Sequence, residues 1–212
     1  MNEKYINALA DFVNSARSST YSIVGSVALL SYTKPNGYDR EIHDIDIIME
    51  TSEAATTAER LLRLGYKQNT FINPRMPFYN RLMRYAQNKY LRFSKENTDL
   101  EILSTSIEQI NNLVLFELYP GIKAGVPKDV FVSSAYGNVD FKTVSKEMLY
   151  IFKKLATNTL GKKVKYKEKQ RYNDTRHLEK LIDRTVYREV ATNCRLSICG
   201  IRVRLPSVLL YG

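Results

Sequence analysis

Two aspartates, Asp44 and Asp46, lie one residue apart in the apolar segment HDIDIIM. Residues i and i+2 of a β-strand point to the same face, so the two carboxylates would lie roughly 7 Å apart. Buried carboxylates at this spacing repel each other unless a cation lies between them. Carboxylate oxygens are ligands that suit Mg²⁺ or Mn²⁺. The pair therefore predicts a divalent metal site. The alternative is a strand edge where one aspartate caps a loop and the other faces solvent.

A Gly25-Ser26 pair precedes these aspartates, between the strand-like segment TYSIV and the helix-like segment VALLSY. The backbone N–H groups at a helix N-terminus favour an anion, and glycine allows a phosphate to approach closely. Ser26 adds a hydroxyl donor. A phosphate-binding turn followed by two metal-binding carboxylates predicts a site for a nucleoside triphosphate (NTP).

A third carboxylate would complete a two-metal site, in which one ion activates the attacking oxygen and the other stabilises the leaving pyrophosphate. Asp99 and Glu101 in the segment NTDLEILST are the candidates, and they share one face of a predicted strand. The apolar neighbours of Glu101 favour it as the inward ligand, with Asp99 nearer the strand entrance. Both residues stay candidates for the third acid.

The elements that position these residues follow from hydrophobic periodicity. Apolar spacings of three and four predict helices over Glu3 to Ala16 and over Thr56 to Leu64, the second ended by Gly65. Alternation predicts a strand from His43 to Met49. Further short strands are expected in YKQNTFI, KYLRF and LEILS.

The chain changes character from about Val144. The segments VSKEMLYIFKKLA and TRHLEKLIDRTVYREVA have helical periodicity, and RLSICGIRVRLPSVLLYG is expected to be a strand or an extended tail. We therefore predict an α/β (α+β) protein of two domains. Residues 1–141 would form a catalytic domain with a small mixed β-sheet and flanking helices. Residues 142–212 would form a basic, mainly helical domain.

The net charge of +10 lies in the second half of the 212 residues. Residues 1–150 carry 17 basic and 17 acidic side chains, whereas residues 151–212 carry 15 basic and 5 acidic ones. The stretch KKVKYKEKQR contains a single acid. Such an excess attracts a polyanion through phosphate contacts and counterion release, and repels polycations such as aminoglycosides. We therefore expect nucleic acid ahead of a cationic antibiotic as the partner.

Several classes of protein are not expected. The apolar stretches are far shorter than the roughly 20 residues of a membrane span, and the acidic N-terminal segment does not resemble a signal peptide. Two cysteines and two histidines do not supply a disulfide framework or a zinc site of consecutive ligands. We expect a cytoplasmic protein with reduced thiols.

The segments VGSVALLSY, HDIDIIME and DLEILS together resemble the DNA polymerase β-like nucleotidyltransferase superfamily. Its motif is a Gly-Gly or Gly-Ser turn that opens a helix, then a strand with two aspartates one residue apart, then a third acid on a later strand. The resemblance covers about half of the chain, from Tyr21 to Ser104. It implies that Gly25 and Ser26 bind the triphosphate, that Asp44 and Asp46 bind metal, and that Glu101 or Asp99 is the third acid.

The second half narrows the resemblance to AbiEii-like nucleotidyltransferases. In that group a lysine-bearing helix is followed by a Lys-Asp motif that opens a further helix. The resemblance implies that Lys153 or Lys154 contacts phosphate and that Asp174 is the acid of the second motif. The sequence departs from the pattern at Asn173, where the group usually has lysine, and at His177, where it often has aspartate. AbiEii-like proteins are typically toxins of toxin–antitoxin pairs, and related members modify RNA, including tRNA ends.

These observations predict a Mg²⁺-dependent (or Mn²⁺-dependent) nucleotidyltransferase that moves a nucleoside monophosphate from an NTP to an acceptor hydroxyl. The expected acceptor is RNA, including tRNA-like RNA, and an antitoxin protein is expected as a further partner. Two alternatives stay open. One is a non-catalytic RNA-binding protein on the same fold, and the other is an antibiotic-type small-molecule nucleotidyltransferase.

Overall fold

The computed structural model describes residues 3–16, 20–69, 90–119, 122–159, 165–198 and 201–204. Its helices are α1 (Glu3–Ala16), α2 (Gly25–Thr33), α3 (Thr51–Arg63), α4 (Lys146–Thr159), α5 (Lys165–Glu179) and α6 (Arg184–Asn193). Its strands are β1 (Tyr21–Val24), β2 (Ile45–Glu50), β3 (Lys67–Asn69), β4 (Tyr90–Lys95), β5 (Thr98–Thr105), β6 (Ile107–Ile110), β7 (Leu113–Tyr119), β8 (Ile122–Pro127), β9 (Phe131–Tyr136), β10 (Val139–Val144), β11 (Arg195–Ile198) and β12 (Ile201–Arg204). This mixture confirms the predicted α/β fold class. No helix in these ranges is long and apolar enough to cross a membrane.

A seven-stranded mixed sheet carries the predicted site. Its strand order is β3-β4-β5-β2-β1-β10-β9. The central strand β2 runs parallel to β5 and antiparallel to β1. In this register Asp46 lies between Val24 on one neighbouring strand and Glu101 on the other. The two acids that the sequence placed on separate strands are therefore direct neighbours across the sheet.

One face of this sheet packs against α1 and α3. Along β2 the side chains of Ile45, Ile47 and Met49 are buried in that core, while the alternate residues are only partly buried. Leu9 and Phe12 of α1 are completely buried in the same core. Removal of a buried phenylalanine side chain such as that of Phe12 costs about 3–5 kcal/mol of stability. This packing fixes which face of β2 is inward, and so directs Asp46 to the opposite face.

A second sheet of five antiparallel strands, in the order β12-β11-β8-β7-β6, was not predicted. Its strands are short, and β8 contains Gly125 and Pro127, which weaken a strand signal in the sequence. Side chains of this sheet share a second core with α2 and with the C-terminal helices, to which Leu29, Leu149 and Tyr187 contribute. Because β11 pairs with β8, residues from the C-terminal part complete this sheet.

Several helices and strands begin or end at residues other than those predicted from the sequence. The helix α3 begins at Thr51 instead of Thr56, and β2 begins at Ile45, so that Asp44 precedes the strand. The single helical face predicted for TRHLEKLIDRTVYREVA is divided between α5 and α6. The division is at Asp183, whose side chain accepts hydrogen bonds from the N–H groups of Thr185 and Val186 and caps α6.

The predicted domain boundary between residues 141 and 142 falls inside β10 and stays a prediction. Residues 70–72 of the predicted strand YKQNTFI, residues 162–164 of the basic stretch and Cys199 lie outside the described residues.

Candidate active site

Three carboxylates meet at the start of β2. One carboxylate oxygen from each of Asp44, Asp46 and Glu101 lies within 4.8 Å of the others. Asp46 and Glu101 meet because β2 and β5 are paired in register, and Asp44 meets them because it immediately precedes β2. Within the described parts of the chain, no other cluster of three histidine, cysteine or acidic side chains is close enough to bind a metal ion. We call these three residues the carboxylate triad.

The electrostatics of Asp46 fit a site for a divalent cation. Burial, and secondly the negative charges of Asp44 and Glu101, raise the pKa of Asp46 to about 7, although Lys153 and Arg40 act in the opposite direction. The nearby cations therefore do not neutralise the triad fully. Three oxygen donors with uncompensated negative charge are the ligand chemistry of Mg²⁺ or Mn²⁺. The residues present thus fit the metal that the sequence predicts.

Gly25 begins α2 at a point of close contact with the triad. Its φ of +67° lies in the left-handed region that glycine adopts readily. A β-carbon at this position would overlap Oδ2 of Asp46 and lie 2.7 Å from its Cγ. Only glycine fits here, and the first turn of α2 therefore lies directly beside the carboxylate of Asp46.

A buried network centred on Asp174 lies next to this turn. Asp174 is 1% exposed, and its carboxylate accepts hydrogen bonds from Tyr38 Oη (2.9 Å), Arg40 Nε (2.8 Å) and Lys153 Nζ (3.1 Å). Arg40 Nη2 also donates to Asp174 Oδ2 (3.1 Å) and to Ser26 Oγ (2.8 Å). We call these five residues the Asp174 network. It holds two cationic side chains beside the N-terminus of α2.

His177 joins this network by stacking. Its ring lies 3.9 Å from the ring of Tyr38, with an angle of 16° between the planes. Burial, together with the charges of Lys180 and Arg176, lowers the pKa of His177. The lowered pKa favours the neutral ring, which packs against the ring of Tyr38.

The structure separates the two lysines that the sequence left as alternatives. Lys153 Nζ contacts Asp174, and its charge acts on Asp46. Lys154 Nζ instead lies 5.3 Å from the centre of the Tyr150 ring. Successive residues of a helix point in different directions, so of these two lysines α4 directs Lys153 toward the Asp174 network.

The two candidates for the third acid are also separated. Glu101 belongs to the triad, and its Oε2 accepts a hydrogen bond from Tyr90 Oη. Asp99 instead forms an ion pair with Arg92, whose Nε lies 3.6 Å from Glu101 Oε1. Tyr90 and Arg92, on β4, therefore orient the acids of β5.

Sequence reasoning missed four of these residues: Tyr38, Arg40, Tyr90 and Arg92. The first two lie in the turn-rich segment TKPNGYDREIH, which carries no periodic signal. The other two lie at i and i+2 in the predicted strand KYLRF, so that alternation alone places them on one face. What the sequence did not supply was the antiparallel pairing of β4 with β5.

No family model matches the sequence, and no curated protein is similar to it in sequence. Solved structures, in contrast, do match. The lincosamide antibiotic adenylyltransferase LnuA in its lincomycin-bound form has a TM-score of 0.57 at 17% identity, over 86% of this chain and 99% of LnuA. ANT(2″)-Ia in complex with adenylyl-2″-tobramycin has a TM-score of 0.58 at 10% identity, over 88% of this chain and 94% of its own.

The solution structure of the antibiotic-resistance factor ANT(2″)-Ia matches as well. Its TM-score is 0.55 at 12% identity, over 89% of this chain and 94% of its own. Both neighbours are antibiotic nucleotidyltransferases of the DNA polymerase β-like superfamily, whereas the AbiEii-like subgroup stays a prediction. At these identities the similarity establishes the fold, and it extends over nearly the whole of each neighbour. The chain therefore has a nucleotidyltransferase fold.

Proposed function

We propose that this protein is a metal-dependent nucleotidyltransferase that transfers a nucleoside monophosphate from an NTP to the hydroxyl of a small molecule. The observation that carries this proposal is the carboxylate triad of Asp44, Asp46 and Glu101, in contact with the first turn of α2. A divalent cation held by these three residues would neutralise charge on the triphosphate and polarise the α-phosphate for attack.

The chain supplies several groups for the triphosphate. The N-terminus of α2 offers backbone N–H donors at Gly25 and Ser26, and the helix dipole favours an anion there. Arg40 and Lys153 add two positive charges beside this turn. In this arrangement Asp174 acts as a positioning residue, because it holds both cations and is itself almost completely buried.

The transfer step follows from these positions. The acceptor hydroxyl oxygen bonds to the α-phosphorus, the bond from that phosphorus to the oxygen bridging the β-phosphate breaks, and pyrophosphate leaves with the electron pair. Glu101 receives the proton of the hydroxyl, since Tyr90 holds its Oε2 and so fixes the direction of the carboxylate. Pyrophosphate leaves toward Ser26, Arg40 and Lys153, and the positive charges of Arg40 and Lys153 favour its departure.

The acceptor is a small molecule in this proposal, in place of the RNA expected from the sequence. LnuA is a lincosamide adenylyltransferase and ANT(2″)-Ia carries adenylyl-2″-tobramycin. The present chain covers 99% and 94% of these two proteins, so their whole architecture has a counterpart in it. Both relationships favour the antibiotic-type alternative of the sequence prediction.

RNA is the second candidate acceptor, and with it a toxin role and an antitoxin partner. The observation that favours RNA is the excess of ten positive charges in residues 151–212. On α5 the exposed Tyr172 and Arg176 lie one helical turn apart, a combination that suits stacking on a base and contact with a phosphate.

Label transfer tests the proposal. The purified protein is incubated with Mg²⁺ and each α-³²P-labelled NTP, in separate reactions with lincomycin, tobramycin and total RNA. We expect label on a small molecule, and no label on any acceptor when both Asp44 and Asp46 are replaced by Ala. Unchanged transfer by that double variant would contradict the mechanism, and label on RNA alone would favour the second candidate.

A non-catalytic RNA-binding protein behaves differently in two measurements. It would gain thermal stability from RNA and none from an NTP with Mg²⁺. Its binding would also weaken steeply with salt, because binding to a polyanion releases counterions. Mg²⁺-dependent stabilisation by an NTP therefore separates an active site from a binding surface.

A further inference from the structure

A cavity of about 450 Å³ lies against the same face of β2 as the triad. Its lining comes from both sheets and from α4. The apolar side chains of this lining include Ile48, Val114, Phe116, Val126, Val144 and Phe152. Cavities of this size accommodate drug-sized ligands. We call this space the inter-sheet cavity.

Among the described residues, the lining contains one buried side-chain polar atom without a hydrogen-bond partner. Ser22 is 3% exposed, and its Oγ has no hydrogen-bond partner among the described residues. Ser22 pairs with Ile48 across β1 and β2, and the two side chains therefore point to the same face of the sheet. A buried hydroxyl without a partner is unfavourable, so a ligand that accepts a hydrogen bond from Ser22 gains from it.

The inter-sheet cavity lies close to the triad. Ile48 follows Asp46 by two residues on β2, so their side chains project from one face roughly 7 Å apart. Along the β1–β2 ladder, the pair Ser22 and Ile48 is followed on that face by the pair Val24 and Asp46. A molecule that occupies the cavity therefore needs only a short extension to reach the carboxylates.

The charge of the cavity lining restricts the charge of the ligand that can bind there. Among the described residues, Lys128 is the only charged one in the lining, and none of them contributes a carboxylate. A polycation would meet apolar side chains and a positive charge, and no acid of the described lining would neutralise it. The lining is suited to a molecule that is uncharged or anionic.

We infer that the inter-sheet cavity binds the apolar body of the acceptor, a ring-containing, uncharged or anionic alcohol. An oxygen at one end of this molecule accepts a hydrogen bond from Ser22. The hydroxyl at the other end reaches the carboxylate triad. This inference rests on the proposed nucleotidyl transfer and names the class of its acceptor.

Two fluorescent probes, used without any NTP, test whether the inter-sheet cavity binds a molecule of this class. The first, 2-(6-methoxynaphthalen-2-yl)ethanol, has an ether oxygen for Ser22 and an alcohol at its far end. The second, 2-(naphthalen-2-yl)ethanol, lacks the ether. We expect saturable binding of both by the full chain, with the ether probe about fivefold tighter because of one added hydrogen bond.

The variant Ser22→Ala should bind both probes equally, and its melting temperature should equal or exceed that of the parent. Thr57→Val is the matched control. Thr57 Oγ1 is also buried without a partner among the described residues, but it lies on α3, on the opposite face of the sheet. This variant should keep the fivefold preference. Absence of saturable binding, or an unchanged preference in Ser22→Ala, would overturn the inference.

Label transfer then tests whether a molecule bound in the inter-sheet cavity is the acceptor. With α-³²P-ATP and Mg²⁺, we expect a labelled adduct of the ether probe and none of tobramycin. If the protein labels other acceptors but not the bound probe, the cavity is not the acceptor site. If it labels no acceptor at all while the probes bind as expected, the proposed nucleotidyl transfer fails instead.

Discussion

Gly25 and Asp46 are in such close contact that a β-carbon on residue 25 would overlap the Oδ2 atom of Asp46. The left-handed backbone of Gly25, with φ of +67°, adds a second restriction at the same position. One small residue thus joins the turn proposed to bind the triphosphate to the carboxylate proposed to bind the metal. A shift of either the turn at Gly25 or the carboxylate of Asp46 would therefore displace the other.

The substitution Gly25→Ala should therefore strongly reduce activity. We expect at least about a 100-fold loss of label transfer, because misplacement of a reacting group by about 1 Å costs about that factor. Gly65→Ala is the matched control. Its φ of +89° imposes similar backbone strain, but no atom of the described residues lies within 4 Å of the added β-carbon. If the two variants lose activity equally, backbone strain and not the contact with Asp46 explains the loss.

The Asp174 network should contribute strongly to stability. Asp174→Asn removes the buried negative charge that holds Arg40 and Lys153, and loss of one partner of a buried ion pair costs about 3–5 kcal/mol. Urea unfolding measures this change. Asp39→Asn is the control, since the ion pair of Asp39 with Lys34 is partly exposed to solvent and worth at most about 1 kcal/mol. Similar losses in both variants would contradict the role of Asp174.

The third acid should be Glu101 and not Asp99. Glu101→Gln keeps the size of the side chain but removes its charge from the triad, so both label transfer and stabilisation by Mg²⁺ should be lost. Asp99→Asn should have the smaller effect on transfer, because Asp99 pairs with Arg92 outside the triad. Label-transfer rates at saturating Mg²⁺ compare the two variants. A larger loss in Asp99→Asn would reverse the assignment.

The acids of the triad could be anticipated one by one because local patterns mark each of them, whereas their meeting depends on the pairing of β2 with β5. Strand alternation places Asp44 and Asp46 on one face, and the apolar residues around Glu101 indicate an inward side chain. The turn at Gly25 was visible as a small residue between a strand and a helix. Each of these features depends on a few neighbouring residues.

The Asp174 network could not be anticipated in the same way. Arg40 and Asp174 are 134 residues apart, and their contact depends on how α5 packs near α2. The second sheet was missed for a related reason, since β11 pairs with β8 across the whole helical segment. Contacts of this kind follow from tertiary packing, which periodicity and spacing do not encode.

Without a metal ion, the free energy of unfolding should depend on pH because the carboxylate of Asp46 is buried beside two other acids. The pKa of Asp46 is raised from 3.8 to about 7, chiefly by burial. The unfolded chain therefore releases this proton at lower pH than the folded chain, and stability falls as pH rises from about 4 to about 7. The difference corresponds to at most about 4 kcal/mol, at about 1.4 kcal/mol per pH unit.

Asp46→Asn isolates this contribution because the amide does not ionise. In EDTA the variant and the parent should have similar unfolding free energies at pH 4.5, and the variant should be the more stable protein at pH 8. Added Mg²⁺ should then stabilise the parent and not the variant, since the cation offsets repulsion that the variant has already lost. Urea unfolding across this pH range checks the sign. The opposite result would be a variant less stable than the parent at pH 8 in EDTA. It would show that the cations of the chain already compensate the charge of ionised Asp46. The triad would then not require a metal ion for charge balance.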